Sequence, residues 1–216
     1  FDTTPNHLSR RRFLRTTAIA ATAFPFVGNV LGANDKINVA CIGVGGKGDS
    51  DSNNAASCGG NIVGICDVDR NTLNRKGQKF PDAKKFQDFR EMFDKAEKDF
   101  DALTIGVPDH AHFPISMLAM SKGKHIYVEK PLAHTFNECE LMIAAMKKYN
   151  VATQMGNQGH SGQHVRLLCE WIWQGSLGDV TEAHTRPPYK QMDFGSRDPG
   201  KPADVPKGLN WDLWQR

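Results

Sequence analysis

The sequence predicts an α/β fold, a doubly wound parallel sheet followed by the start of a second α/β domain. Three observations carry this expectation. From Ile37 onward, short β-branched runs alternate with helix-like segments, the order that builds parallel strands through crossover connections. The first run leads directly into a glycine-rich turn, Gly43-Val44-Gly45-Gly46-Lys47-Gly48. Near Met155 the alternation stops and a loop-rich, polar pattern replaces it.

Taken in order, the chain of 216 residues carries SRRRFLRTTAIAATAFPFVGNVLGA from Ser9 to Ala33. Ser9-Arg10-Arg11-Arg12-Phe13-Leu14-Arg15 resembles the twin-arginine export signal. A weakly apolar run to about Val30 follows, and Leu31-Gly32-Ala33 offers a cleavage site. Residues 1–33 are therefore set apart from the fold as a signal segment. The alternative is a basic arm without structure. Arg10, Arg11, Arg12 and Arg15 face only Asp2 there, so the leader holds the whole net charge of +3 and the rest is neutral. A basic surface for nucleic acid is thus unsupported, and no apolar run is long enough to span a bilayer.

Strands are expected at INVACIG (37–43), NIVGICD (61–67), DALTIGV (101–107), HIYV (125–128) and VATQM (151–155). Residues 111–122 read as a helix closed by Gly123 in the left-handed conformation. Thr135 and Glu138 form a capping box ahead of Cys139, Met142, Ile143 and Met146, which repeat at helical spacing. The segment after Gly48, DSDSNNAASCGG, offers mainly Ala55, Ala56 and Cys58 to bury, which predicts a short or frayed helix. These elements assign residues 34–156 to a nucleotide-binding domain. Residues 157–216 read as the beginning of a second domain. Val165, Leu168, Cys169 and Ile172 share a helix face ended by Gly175, DVTEAHT (179–185) reads as a strand, and residues 187–206 are proline-rich. We expect a fragment whose second domain is incomplete. The five cysteines show no CxxC pairing, and Cys41 and Cys66 fall in apolar runs, so buried thiols are expected.

The glycine turn fits G-x-G-x-x-G in the required context, after a strand and before a helix. Gly43 permits the turn, Gly45 and Gly46 let the backbone approach a pyrophosphate, and Gly48 allows close helix–strand packing. Asp67 ends the next strand, where a carboxylate accepts hydrogen bonds from ribose hydroxyls. It would repel a 2′-phosphate, so NAD is favoured over NADP, although Arg70 close by keeps NADP open.

Ligands of such sheets bind beyond the carboxyl ends of the strands. Three segments are expected to meet there: the glycine turn, Pro108-Asp109-His110-Ala111-His112, and Glu129-Lys130-Pro131. A lysine beside a nicotinamide can accept a hydroxyl proton as an amine or stabilise an alkoxide as an ammonium. Glu129 is expected to hold Lys130 and tune its pKa. Pro131 is expected to fix the turn. A structural salt bridge at a strand end is the other reading of the same residues.

The leader, GVGGKG, ICDVD, DALTIGVPDHAH, GKHIYVEKPLAHT and MGNQ together resemble the Gfo/Idh/MocA oxidoreductases in order and spacing, over about residues 36–186. The resemblance implies NAD(P) binding by a Rossmann domain, a C-terminal α/β domain with a largely antiparallel sheet, homo-oligomers, and Lys130 as the catalytic residue. It also implies that Pro108, His112 and Asn157 lie near the cofactor, and that a D-x-x-x-H motif absent from this chain supplies the second catalytic group. His160 and His164 lie four apart, but HSGQH lacks the glutamate of a zinc motif. Contact with a substrate hydroxyl, or plain loop structure, is expected instead of a metal site. Trp211 and Trp214 read as core packing or as a platform for a sugar ring.

The leading expectation is a periplasmic NAD-dependent oxidoreductase of a sugar, glycoside or cyclitol hydroxyl, passed folded through the twin-arginine translocase with its cofactor already bound. One rival is an NAD-dependent glycoside hydrolase or lyase that works through a transient ketone. The other is a non-catalytic sugar-binding module.

Overall fold

A computed structural model describes residues 36–185 and 202–215. The leader and most of the proline-rich stretch lie outside the described residues. Six parallel strands form one sheet: β1 (Asn38–Ile42), β2 (Asn61–Cys66), β3 (Lys84–Phe86), β4 (Ala102–Ile105), β5 (His125–Glu129) and β6 (Thr153–Gly156). Their spatial order is β3-β2-β1-β4-β5-β6, the doubly wound order of dinucleotide-binding sheets. The order reverses between β1 and β4, and the crevice lies there.

Strand alternation builds a core on each face of the sheet. Ala40 and Ile42 of β1 join Leu103, Ile105, Ile126 and Val128 in one buried cluster, while Val39 and Cys41 join Ile62, Ile65 and Leu73 in the other. The larger cluster is covered by α3 (Phe89–Ala96), α4 (His112–Ser121) and α5 (Phe136–Tyr149), through side chains such as Phe93, Ile115 and Met142. Helices α1 (Gly46–Ser57) and α2 (Arg70–Lys79) serve the smaller one. The capping box is present as expected. Thr135 Oγ1 accepts from the Glu138 N–H at 3.2 Å, and Glu138 Oε2 accepts from the Thr135 N–H at 3.0 Å. Gly123 has φ 72° and closes the turn after α4. Cys41 and Cys66 are buried free thiols, and burial pushes Cys41 up to about 11.

Three expectations are corrected. Helix α1 is neither short nor frayed: it runs for 12 residues and starts inside the glycine motif. It is anchored by polar groups instead of apolar area. Buried Ser52 donates to the Gly48 carbonyl at 2.8 Å, and Lys76 of α2, 3% exposed, reaches Asp49 Oδ1 at 2.9 Å and Asn53 Oδ1 at 2.8 Å. The Lys76 hydrogen bond holds the Asp49 carboxyl below its usual range. Strand β3 was not expected, because its sequence Lys-Lys-Phe carries two charges. Edge strands tolerate lysines, and only Phe86 must face inward. Residues 179–185 form no strand: an alternating sequence needs a neighbour to pair with, and none is present among the described residues. Helix α6 (Gln163–Trp173) forms where expected, but Leu168 and Ile172 on its apolar face are exposed. No described helix is long and apolar enough to cross a membrane.

Candidate active site

The carboxyl end of β1 turns sharply at Gly43, whose φ is 73°. A side chain there would meet the Gly106 carbonyl oxygen at 2.5 Å. A Cβ on Gly48 would overlap the Gly43 carbonyl oxygen and lie 2.8 Å from its carbon. The ends of β1, β4 and α1 thus interlock through three glycines. Helix α1 begins after Gly45 with no side-chain cap, whereas α2, α3 and α5 are capped by Asp69, Asp88 and Thr135. Uncapped first-turn N–H groups, with the positive end of the helix dipole, suit a phosphate.

Asp67 stands beside this turn. Its Oδ2 accepts from the Val44 N–H and its Oδ1 from the Asp69 N–H, both at 2.9 Å. Each carboxylate oxygen keeps a lone pair for a ribose hydroxyl. Burial pushes the Asp67 carboxyl up, and the backbone N–H groups of Asp69 and Val44 pull it back down. A cleft of about 270 Å³ opens from Gly43, Gly45 and Asp67 towards Arg90, His110 and Trp214. The cradle, the free helix end and the carboxylate fit a dinucleotide.

Glu129 ends β5 and is 4% exposed. Its Oε1 accepts from Gln158 Nε2, which also donates to the Tyr127 hydroxyl at 2.6 Å. Lys47, inside the glycine motif, reaches Asp51 Oδ1 at 2.7 Å and Glu129 Oε1 at 3.6 Å. Burial raises the Asp51 carboxyl above its usual range, with the Glu129 carboxylate adding to the shift and Lys47 opposing it. This network ties the glycine turn to the end of β5. It also corrects the expectation that Glu129 holds Lys130. Glu129, the last residue of β5, is buried, whereas Lys130 lies in the bend that follows the strand and is exposed. Among the described residues Lys130 has no ion-pair partner. The Lys130–Pro131 peptide bond is cis. Gly156 is the register partner of Glu129, and a Cβ on it would lie 2.5 Å from the Glu129 carboxyl carbon.

The other expected residues divide. Pro108 is exposed at the end of β4, and Asn157 follows Gly156 at the end of β6, also exposed. Both stand at the carboxyl edge of the sheet. His112 does not face the cleft. It is 1% exposed, with Nδ1 at 2.5 Å from the Pro131 carbonyl oxygen and Nε2 at 2.9 Å from that of Val107. It ties the β4 loop to the Glu-Lys-Pro turn, and neither ring nitrogen is left for a ligand. His112→Ala would remove the ring N–H that pairs with one of these carbonyls and open a cavity, with an expected loss of about 2–4 kcal/mol in urea unfolding. Arg70 is exposed and donates to Gln87 Oε1 at 3.0 Å; the arginine lining the cleft is Arg90, which sequence reasoning missed. His160 and His164 are both exposed, in the turn before α6 and in its first residues.

The switch-point crevice, glycine cradle and ribose carboxylate define a dinucleotide-binding domain. The chain belongs to the Gfo/Idh/MocA oxidoreductases: this family, described as an oxidoreductase family with an NAD-binding Rossmann fold, matches residues 37–157. Among curated proteins, a glycosyl hydrolase family 109 protein of Shewanella pealeana is 26% identical over 204 residues, covering 80% of this chain and 44% of the relative. A levoglucosan dehydrogenase of Pseudarthrobacter phenanthrenivorans is 32% identical over 93 residues, 43% of this chain and 23% of the relative. The fold matches that of a scyllo-inositol dehydrogenase from Lactobacillus casei, solved with NAD(H) and scyllo-inositol. The TM-score is 0.62 at 24% identity, over 68% of this chain and 44% of that one. The chain spans less than half the length of these relatives.

Proposed function

We propose that the full-length protein is an exported NAD-dependent oxidoreductase that takes a hydride from a hydroxyl-bearing carbon of a sugar, glycoside or cyclitol. The observation that supports this is Lys130, an exposed lysine at the carboxyl end of β5, unpaired among the described residues, on the edge that also carries the glycine cradle. A bound nicotinamide supplies the hydride acceptor. Lys130 holds the substrate hydroxyl and takes its proton as the C–H bond breaks; in the reverse direction it returns that proton. The Lys47–Glu129–Gln158 network keeps the strand end in register with the cradle without touching substrate.

The leader supports passage through the twin-arginine translocase into the periplasm, which moves folded protein with NAD already inside. The cofactor then stays bound, reduced by one substrate and reoxidised by another. Homo-oligomers are part of the same reading, by resemblance to the family.

A second reading is favoured by one finding, the likeness to a glycosyl hydrolase family 109 protein over most of the chain. In that reading oxidation is transient: the ketone acidifies the adjacent C–H, that proton and the leaving group are eliminated, water adds to the resulting enone in the hydrolase (and does not in a lyase), and the hydride returns. One experiment separates the two. Full-length mature protein, with no nucleotide added, is mixed with a panel of sugars, cyclitols and aryl glycosides while NADH absorbance and aglycone are followed. The expected result is a lasting rise in NADH absorbance with one donor. Aglycone release without net NADH supports the second reading. Denatured protein that yields no nucleotide overturns the retained cofactor.

A further inference from the structure

The cleft beside Asp67 is closed by residues far away in sequence. Leu209 pairs antiparallel with Asp69. The Arg70 N–H donates to the Gly208 carbonyl and the Asn210 N–H to the Val68 carbonyl, both at 2.9 Å, and Asn71 Nδ2 donates to the Lys207 carbonyl at 2.7 Å. Residues 207–210 are thus stitched onto the corner that follows the ribose carboxylate. Asn210 then caps the short helix α7 (Trp211–Trp214), its Oδ1 accepting from the Leu213 N–H at 3.1 Å. The far end of α7 is tied to the loop after β4. His110 Nε2 donates to the Trp214 carbonyl at 2.7 Å, and the two rings meet edge to face at 5.2 Å. Trp211 stacks on Trp214 at 4.9 Å with planes 7° apart, which holds the Trp214 ring in place.

The segment therefore spans both lips of the crevice, from the β2 corner to the β4 loop. Leu209, Leu213 and Trp214 line the cleft together with Phe89 and Arg90. A cleft of this size, apolar and aromatic on its walls and adjoining a ribose-binding carboxylate, suits a purine base. Neither sequence reading of the tryptophans, a sugar platform or a domain core, places them here.

Given the NAD reading above, we propose that residues 207–214 form a strap that holds the adenosine half of the dinucleotide and sets its rate of release. The nucleotide cannot leave the cleft on that side without parting backbone hydrogen bonds at one end of the strap and the His110–Trp214 contact at the other. That is how a protein exported with its cofactor would keep it.

The test uses full-length protein, with dissociation of labelled NAD followed by rapid filtration and affinity by equilibrium titration. The Leu213→Ala/Trp214→Ala variant is expected to release NAD about 10- to 100-fold faster, the range produced by removing an aromatic that stacks on a base, with a matching rise in Kd. Asn71→Ala, which cuts one tie and leaves every cleft-lining side chain in place, is expected to speed release about 3- to 10-fold. Release within twofold of wild type in both variants overturns the strap alone. Wild-type protein that binds neither NAD nor NADP overturns the cofactor reading and the strap with it.

Discussion

Lys130→Ala in the full-length protein is expected to lower kcat by about 100- to 10,000-fold, the range for losing a positioned acid or base. Bound NAD and melting temperature should stay at wild-type values. The reason lies in where the side chain sits. Lys130 is exposed and, among the described residues, makes no ion pair, so its removal leaves no buried charge behind. Lys130→Arg sharpens the test. A guanidinium keeps the positive charge but does not give up a proton at working pH, so it restores electrostatic stabilisation without restoring base catalysis. If Arg recovers most of the activity, the lysine works as a charge; if it recovers little, proton transfer is its task. A loss below tenfold in Lys130→Ala would remove it from the chemistry. Glu129→Gln should behave differently. Glu129 lies behind Lys130 against Lys47 and Gln158, so its loss should affect stability and cofactor binding along with rate.

The parts of this fold that could be read ahead were those with local causes. Short β-branched runs predicted β1, β2, β4, β5 and β6, because strands of a parallel sheet covered on both faces are built from such residues. Thr135 and Glu138 predicted the start of α5, because the cap is complete within four residues. The glycine motif predicted the cradle, because the close approach needs no information from elsewhere. What was hidden depends on partners distant in sequence. Lys-Lys-Phe becomes β3 only because β2 offers an edge. Helix α1 holds because Lys76, 27 residues after Asp49, is buried against it. His112 was expected near the cofactor through the family resemblance, yet both its ring nitrogens face carbonyls of two different loops. The strap was hidden most deeply. Its bonds join residues 68–71 to 207–210 across a polar, proline-rich stretch with no periodicity to announce them.

Gly48→Ala is expected to be the most damaging single methyl group in the domain. The added Cβ would overlap the Gly43 carbonyl oxygen and lie 3.2 Å from that of Gly106. Both are backbone atoms of the strand ends that build the crevice, and neither can rotate away as a side chain would. Gly106 closes the remaining route, since a Cβ placed on it would lie 2.7 Å from Gly48 Cα. Relief therefore requires α1 to move off the β1–β4 edge. That movement withdraws the phosphate-facing N–H groups and pulls Lys47 and Asp51 away from Glu129 in the same step. Overpacking of this kind costs about 1–3 kcal/mol where side chains yield and more where backbone must shift, so about 3 kcal/mol or more is expected in urea unfolding, with NAD binding lost. Gly123→Ala is the control. Gly123, in the turn after α4 and outside the cleft lining, has φ 72° and nothing within 4 Å of its Cβ position, so only backbone strain of about 1–2 kcal/mol applies and NAD should still bind. Equal stability and equal NAD affinity in the two variants would show that the interlock does not hold the cradle. A difference of the predicted size would show that one helix–strand contact sets both the stability of the sheet edge and the shape of the cofactor site.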